Sequence, residues 1–263
     1  MTSDGDGQEP EKPKRDRFTS KGQAAARFVA QRLILRPVVW SVVSVQIIGK
    51  ERLKKAPKNF VVVANHSSHL DAPLILGSLP QKMSRYLAAG AAADYFFDVW
   101  WRRGLTALFF NAFPVDRSGS HPRRVSAKEL LQRGVPLLVF PEGTRSKDLK
   151  VHTFKPGAAA LATSVGVPIV PIALVGAGEA HPRGSSWPKP GRLPVGIVFG
   201  DPMTAEAGET AAQFMDRVKG AIEGLIAENG PGILAAKSGA ALDGGAVTED
   251  DQQAGTEPGG AAR

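Results

Sequence analysis

From residue 60 onward, short runs of β-branched and aliphatic residues alternate with longer stretches whose apolar positions recur at helical spacing. FVVVA at 60–64, YLAAG at 86–90, FPVDR at 113–117, PLLVF at 136–140, PIVPIAL at 168–174 and VGIVFG at 195–200 read as strands. Helical patterns fall between them, at about 71–79, 95–110, 123–133, 156–165 and 210–229. Runs apolar at every position, such as FVVVA and PLLVF, suit strands covered on both faces. The alternation therefore predicts an α/β fold: a single domain with a largely parallel, mixed sheet covered by helices. In such sheets, sites lie off the carboxyl ends of strands, which gives priority to the residues directly after FVVVA and PLLVF.

The pattern lapses at both ends. Residues 1–21 are polar without apolar periodicity, and residues 235–263 are rich in Ala, Gly and acidic residues, so both are expected to be disordered tails around a domain at 22–234. The N-terminus has no apolar core of a signal peptide, and export is not expected. Residues 24–48 are the one segment that suggests a membrane, with an amphipathic helix at about 24–44 in which Phe28, Val29, Leu33, Ile34, Val38 and Trp40 are interleaved with Arg27, Arg32 and Arg36. Its uncharged part, 37–48, is 12 residues long and broken by Ser41, Ser44 and Gln46, short of the roughly 20 needed to span a bilayer. Two readings stand: a basic amphipathic helix lying in the interface, or a helix packed on the domain with its arginines at the rim. The cluster Tyr95, Phe96, Phe97, Trp100, Trp101, Phe109 and Phe110 has the same two readings, core or anchor.

Composition narrows the class. With 43% hydrophobic and 22% charged residues, the chain of 263 has the makeup of a folded domain. It contains no Cys, which removes disulfides, thiolate nucleophiles and Cys-ligated zinc together. Between the tails, residues 22–234 hold 26 Lys and Arg against 15 Asp and Glu, a field that attracts phosphate groups of nucleic acid, anionic membranes or small phosphorylated molecules.

After FVVVA comes Asn65-His66-Ser67-Ser68-His69-Leu70-Asp71, an imidazole at a strand mouth and a carboxylate five residues on. On a regular helix five residues are about 140° out of alignment, so the two meet only if His66 lies in the connecting turn. There, an Asp accepting the Nδ1 proton would fix the tautomer and leave Nε2 as a base. Ser68 and Asp71 equally match an S-x-x-D capping box, with His66 an ordinary loop residue; spacing alone leaves both open. PLLVF runs into Pro141-Glu142-Gly143-Thr144-Arg145-Ser146, where Gly143 allows close backbone approach and Arg145 offers a fork for phosphate or carboxylate. FPVDR ends on Arg117. Alone, each is a turn bearing surface charge; together they set one base and two cations on one expected face of the sheet.

The four ordered blocks NHSSHLD, FPVDR, FPEGTRS and VPIVPIAL resemble the lysophosphatidate acyltransferase-like (glycerolipid) acyltransferases over about residues 45–205. The resemblance implies catalytic His66 and Asp71, His66 as general base towards an acceptor hydroxyl that attacks an acyl thioester directly, with Asp71 supporting the imidazolium. It implies Arg117 and Arg145 on the acceptor's phosphate, with Glu142, Gly143 and Thr144 shaping the substrate site, and no metal or cofactor beyond the donor substrate, acyl-CoA or acyl-carrier protein. The implied activity is transfer of a fatty acyl group to a lysophosphatidate-type acceptor in phospholipid synthesis, at the cytoplasmic face of a membrane, with peripheral or monotopic attachment. Another acceptor, such as glycerol 3-phosphate, another lysophospholipid or a polyol, is the nearest alternative.

Two departures bear on the acceptor. Asn111 stands where the family's second block opens on a small residue, usually Gly, and AAADYFFDVWWRRG lacks the Lys-containing pattern of phosphatidate-forming members. Arg102, Arg103, Arg123 and Arg124 are substitute phosphate ligands or solvated helix charges. A nucleic-acid-binding protein would interleave basic and aromatic residues on a recognised binding fold; none is present, and no nucleic-acid partner is expected.

Overall fold

The computed structural model describes residues 17–92, 104, 107–115 and 126–236. Seven strands form one sheet among these residues: β1 (Ser44–Ile48), β2 (Val61–Ala64), β3 (Ala88–Ala92), β4 (Phe113–Val115), β5 (Leu137–Val139), β6 (Ile169–Val175) and β7 (Pro194–Phe199), in the order β1-β7-β6-β2-β5-β3-β4. Every adjacent pair is parallel except β6 with β7. This is the predicted mixed, largely parallel sheet.

Period-two geometry divides the apolar strands between two cores. Val61 and Val63 of β2 face a cluster built with Leu130, Ala159, Phe214, Val218 and Ile222, from helices Ala127–Gln132, Gly157–Val165 and Ala211–Ala235. Val62 and Ala64 face the other way, onto Val39, Leu74, Ile75, Leu79 and Phe199, where helices Arg36–Val42 and Asp71–Ser78 pack. Pro171 is unusual in an interior strand because it cannot donate to the ladder. It sits opposite Gly200, where the β7 pairing runs out, and Gly200 donates to the Pro171 carbonyl at 2.9 Å. A Cβ at 200 would lie 2.7 Å from Pro171 Cγ, so the glycine makes room for the ring.

Three elements differ from the expectation. β1 continues the apolar 24–48 segment without a breaker and becomes an edge strand beside β7. The described residues include some assigned above to the N-terminal tail: Phe18 is buried, Arg17 donates to the Ala112 carbonyl at 2.6 Å, and Ser20 caps helix Lys21–Ala30. The last helix runs to Ala235, six residues beyond the predicted end, with Pro231 inside it. Most of the predicted helix 95–110, and with it Tyr95, Phe96, Phe97, Trp100 and Trp101, lies outside the described residues.

The N-terminal helix is one continuous rod, Lys21–Ala30, a π turn at Gln31–Leu35 and Arg36–Val42. Its arginines turn towards the domain. Arg27 is buried, donating to Asn111 Oδ1 at 2.7 Å and to the Arg85 carbonyl at 3.0 Å, and burial lowers its pKa to about 10. Arg32 donates to the carbonyls of Gly77 and Leu79, filling acceptors at the end of helix Asp71–Ser78. The outward face is apolar, with Val29, Leu33, Ile34 and Val38 exposed. Of the two readings of this helix, packing on the domain is the one its arginines follow, with Arg27 buried and not at the rim, and the surface they leave outward is aliphatic.

Candidate active site

β2 and β5 are parallel neighbours, so the loops after them leave the same edge of the sheet. Two hydrogen bonds join the loops: His66 N–H donates to Glu142 Oε1 at 2.9 Å and Ser146 N–H to the His66 carbonyl at 2.8 Å. On the other side, Asn65 exchanges two bonds with the backbone of Leu174, at 2.9 and 2.8 Å, which ties the β2 end to β6. His66 is therefore held through its backbone before its side chain makes any contact.

The imidazole meets Asp71 as the turn geometry required. Nδ1 lies 2.8 Å from Asp71 Oδ2, and the same oxygen accepts Ser67 N–H at 2.7 Å and Ser68 N–H at 2.8 Å. Asp71 is fully buried as the first residue of its helix, where a carboxylate also suits the dipole. An acceptor-only carboxylate assigns the proton to Nδ1 and leaves Nε2 as the free lone pair. The ring stacks on Phe140, centroids 4.2 Å apart and planes 18° apart, with 22% of the His66 side chain exposed. The capping-box reading is only half met: Asp71 takes Ser68 N–H, but the Ser68 hydroxyl accepts from Leu70 N–H and donates to the His181 carbonyl instead of serving Asp71.

The FPEGTRS residues have distinct places. Glu142 is buried, and loss of solvation raises its pKa above the ordinary carboxylate range against the lowering effect of the His66 and His152 N–H groups. Its contact is with the His66 backbone, which it holds in place. Gly143 has φ +73°, and a Cβ there would lie 3.3 Å from Lys155 Nζ, so the Lys155 ammonium lies over this turn. Thr144 is exposed. Arg145 is close enough to His69 and His181 to act on both: burial first, then the Arg145 charge, lowers His181 and takes His69 down to about 4, although the His69 ring reaches solvent. Beyond, Asp148 gathers the Ser146 hydroxyl, the Lys150 N–H and the His152 ring, and is held at about 2, chiefly by Ser146. Arg117, Arg102, Arg103, Arg123 and Arg124 lie outside the described residues.

Lys155 and His181 were not singled out from sequence. Lys155 follows the FPEGTRS block by nine positions with no spacing rule to mark it. His181 is buried 113 residues from Ser68, whose hydroxyl lies 3.3 Å from its Nδ1, and only tertiary structure brings them together. Asn111, a departure visible in the sequence, has φ +50° and is fully buried. A left-handed backbone favours Gly and tolerates Asn, so the departure keeps the conformation and adds an acceptor for Arg27.

A buried Asp orienting an imidazole at the carboxyl edge of a parallel sheet, beside a Gly-Thr-Arg turn, is joined by a sequence match: the Acyltransferase family model covers residues 44–175, half the chain, and the chain belongs to that family. Among its relatives, the 1-acyl-sn-glycerol-3-phosphate acyltransferase of Chlamydomonas reinhardtii is 36% identical over 154 residues, 57% of this chain and 45% of that protein. That of Pseudomonas aeruginosa is 27% identical over 226 residues, 80% of each. The crystal structure of the 1-acyl-sn-glycerophosphate (LPA) acyltransferase PlsC from Thermotoga maritima superposes with a TM-score of 0.60 at 28% identity, covering 81% of this chain and 85% of that one. The chain spans less than half the length of the first curated relatives it matches.

Proposed function

We propose that this protein is a phospholipid-biosynthetic O-acyltransferase that moves a fatty acyl group from acyl-CoA or acyl-carrier protein to the free hydroxyl of a lysophosphatidate-type acceptor. The observation that carries the reading is the 2.8 Å contact between His66 Nδ1 and the buried Asp71 Oδ2, which leaves Nε2 available at the sheet edge. In the proposed step Nε2 takes the acceptor's hydroxyl proton as the oxygen attacks the thioester carbonyl. The tetrahedral intermediate collapses with cleavage of the C–S bond, and the imidazolium returns its proton to the leaving thiolate. Asp71 stabilises the transient positive charge without taking the proton. No residue of the chain becomes acylated, which suits a protein without Cys.

Arg145, Arg117 and Lys155 are assigned to the acceptor's phosphate, for which guanidinium forks and an ammonium are suitable partners. The names of the relatives support a glycerophosphate acceptor. Attachment to a membrane surface is supported by the aliphatic face of the N-terminal helix, where Leu33 is 72% and Ile34 55% exposed; no described helix is long and apolar enough to cross a bilayer. The cytoplasmic leaflet, where acyl thioesters are found, is the assigned side.

An acyl-transfer assay with lysophosphatidate, glycerol 3-phosphate, a neutral monoacylglycerol and both donor types tests the reading. Lysophosphatidate should be preferred over monoacylglycerol by at least tenfold in kcat/KM, since each charge-assisted bond to phosphate is worth about 1.5–3 kcal/mol. Equal use of the neutral acceptor would refute the phosphate assignment, and glycerol 3-phosphate as best acceptor would move the protein to the alternative within the same chemistry.

A further inference from the structure

A long loop connects helix Ala177–Ala180 to β7. Its sequence, His181-Pro-Arg-Gly-Ser-Ser-Trp-Pro-Lys-Pro-Gly-Arg-Leu193, contains three cations and no acidic residue. It is a closed loop: Lys189 N–H donates to the Ala180 carbonyl at 2.7 Å and Ser185 N–H to the Pro182 carbonyl at 3.1 Å, so its ends meet and its tip projects. At the tip Trp187 is 66% exposed, an uncommon state for the largest apolar side chain. Arg183, Lys189 and Arg192 are exposed around it.

The loop adjoins the N-terminal helix. Arg192 donates to the Trp40 carbonyl at 3.0 Å. A shallow cavity of about 260 Å³ lies between the two, lined by Ser41, Val42, Trp187, Pro188, Lys189 and Arg192 among others. Val42 is one helical turn from Val38, and Val38 one turn from Ile34, so the aliphatic face of the helix leads into this cavity and on to Trp187. The other end of the loop reaches the catalytic edge: Arg183 donates to the Arg145 carbonyl at 3.1 Å, and His181 is bonded to Ser68.

We infer that residues 182–192 form a second lipid-binding surface, with Trp187 seated at headgroup depth and the cavity beside Lys189 and Arg192 receiving an anionic phospholipid headgroup. An apolar ring flanked by cations, with no acid within the loop, matches an anionic bilayer surface, and the patch extends the aliphatic face already assigned to the membrane. With contacts to both the helix and the FPEGTRS turn, the loop fixes the orientation of the catalytic edge towards the bilayer that would supply its acceptor. This rests on the membrane attachment proposed above.

The test is vesicle co-sedimentation of the full chain with Trp187→Ala, Lys189→Glu and the double variant, using phosphatidylcholine vesicles and vesicles containing phosphatidylglycerol. Lys128→Glu, on the helix of the opposite sheet face, is the control. Each cation near an anionic surface is worth about fivefold in partitioning, so Lys189→Glu should lose at least fivefold on the anionic vesicles and little on the neutral ones. The double variant should lose more than tenfold, with Lys128→Glu unchanged. Because both side chains are exposed, thermal stability and acyl transfer to a short-chain, water-soluble acceptor should stay at parental levels. Parental binding by the double variant overturns the loop inference alone. A parent that binds neither vesicle overturns the membrane attachment with it. Self-association that depends on Trp187 in the absence of lipid would assign the patch to a second copy and likewise overturn the inference.

Discussion

Replacing Glu142 separates two effects that the buried carboxylate combines. Its Oε1 accepts the His66 N–H at 2.9 Å in a site shielded from solvent. Glu142→Ala leaves that N–H without its partner, and the loss of a hydrogen bond to a charged group costs about 1.5–3 kcal/mol. At roughly 2–4 °C per kcal/mol for a domain of this size, Tm should fall by about 3–12 °C. His66, the proposed base, would also lose one of its anchors, and a displacement on the order of 1 Å can lower turnover by roughly 10²-fold. Glu142→Gln keeps an acceptor and removes the charge. Burial raises the carboxyl's pKa above its ordinary 4.5, so the fold favours the protonated form. The stability contributed by that preference is fully present below the unfolded value and is lost as pH rises through the folded one. Relative to the parent, Glu142→Gln should therefore gain stability between pH 4.5 and neutrality, while Glu142→Ala remains destabilised at both. Paired thermal melts at acid and neutral pH, with acyl transfer measured on the same preparations, check this. An alanine variant with parental Tm and turnover, or a glutamine variant as damaged as the alanine, would refute the positioning role.

Asp71→Asn should preserve the fold, because an amide oxygen in the place of Oδ2 can still accept from Ser67, Ser68 and the imidazole; kcat should fall by about 10²-fold, less than on removing the base, with unchanged Tm. Asn111→Gly keeps the left-handed backbone but removes the acceptor of the buried Arg27 guanidinium, and chemical denaturation should show a loss of about 1.5–3 kcal/mol, with Asn111→Ala worse because it adds backbone strain. Leu33→Asp with Ile34→Asp should leave Tm unchanged and lower vesicle partitioning more than tenfold, since burying each such side chain is worth about 1.5–3 kcal/mol; unchanged partitioning would remove the helix as an anchor.

The core of the fold was legible because β2, β5 and β6 are apolar at every position, a pattern that only a doubly covered strand accommodates. β1 was not, since Ser44–Ile48 follows Val42 with no Gly or Pro to separate it from the helix. Which face of that helix turns outward was left open by the sequence. A π turn, closed by the Arg36 N–H on the Gln31 carbonyl five residues back, interrupts the 3.6-residue period. Across it, Arg27 and Arg32 both bond into the domain while Leu33 and Ile34 are exposed. At the site, the five-residue spacing of His66 and Asp71 restricted the pair to a turn but fitted a capping box equally well. What separates the readings is that Ser68 Oγ is engaged by Leu70 and His181, a partner 113 residues away that no local pattern marks. Glu142 was legible as a site residue, while its contact with the His66 backbone depends on the adjacency of β2 and β5.

The central claim, that His66 is the base, is tested most directly by steady-state acyl transfer with the His66→Ala protein, compared with the parent after both show the same melting transition. General-base catalysis contributes about 10²–10⁴-fold, and with no alternative nucleophile in the proposed step, kcat should fall by at least that lower bound while KM for the donor changes little. Turnover within a few-fold of the parent by a fully folded His66→Ala protein would contradict the account.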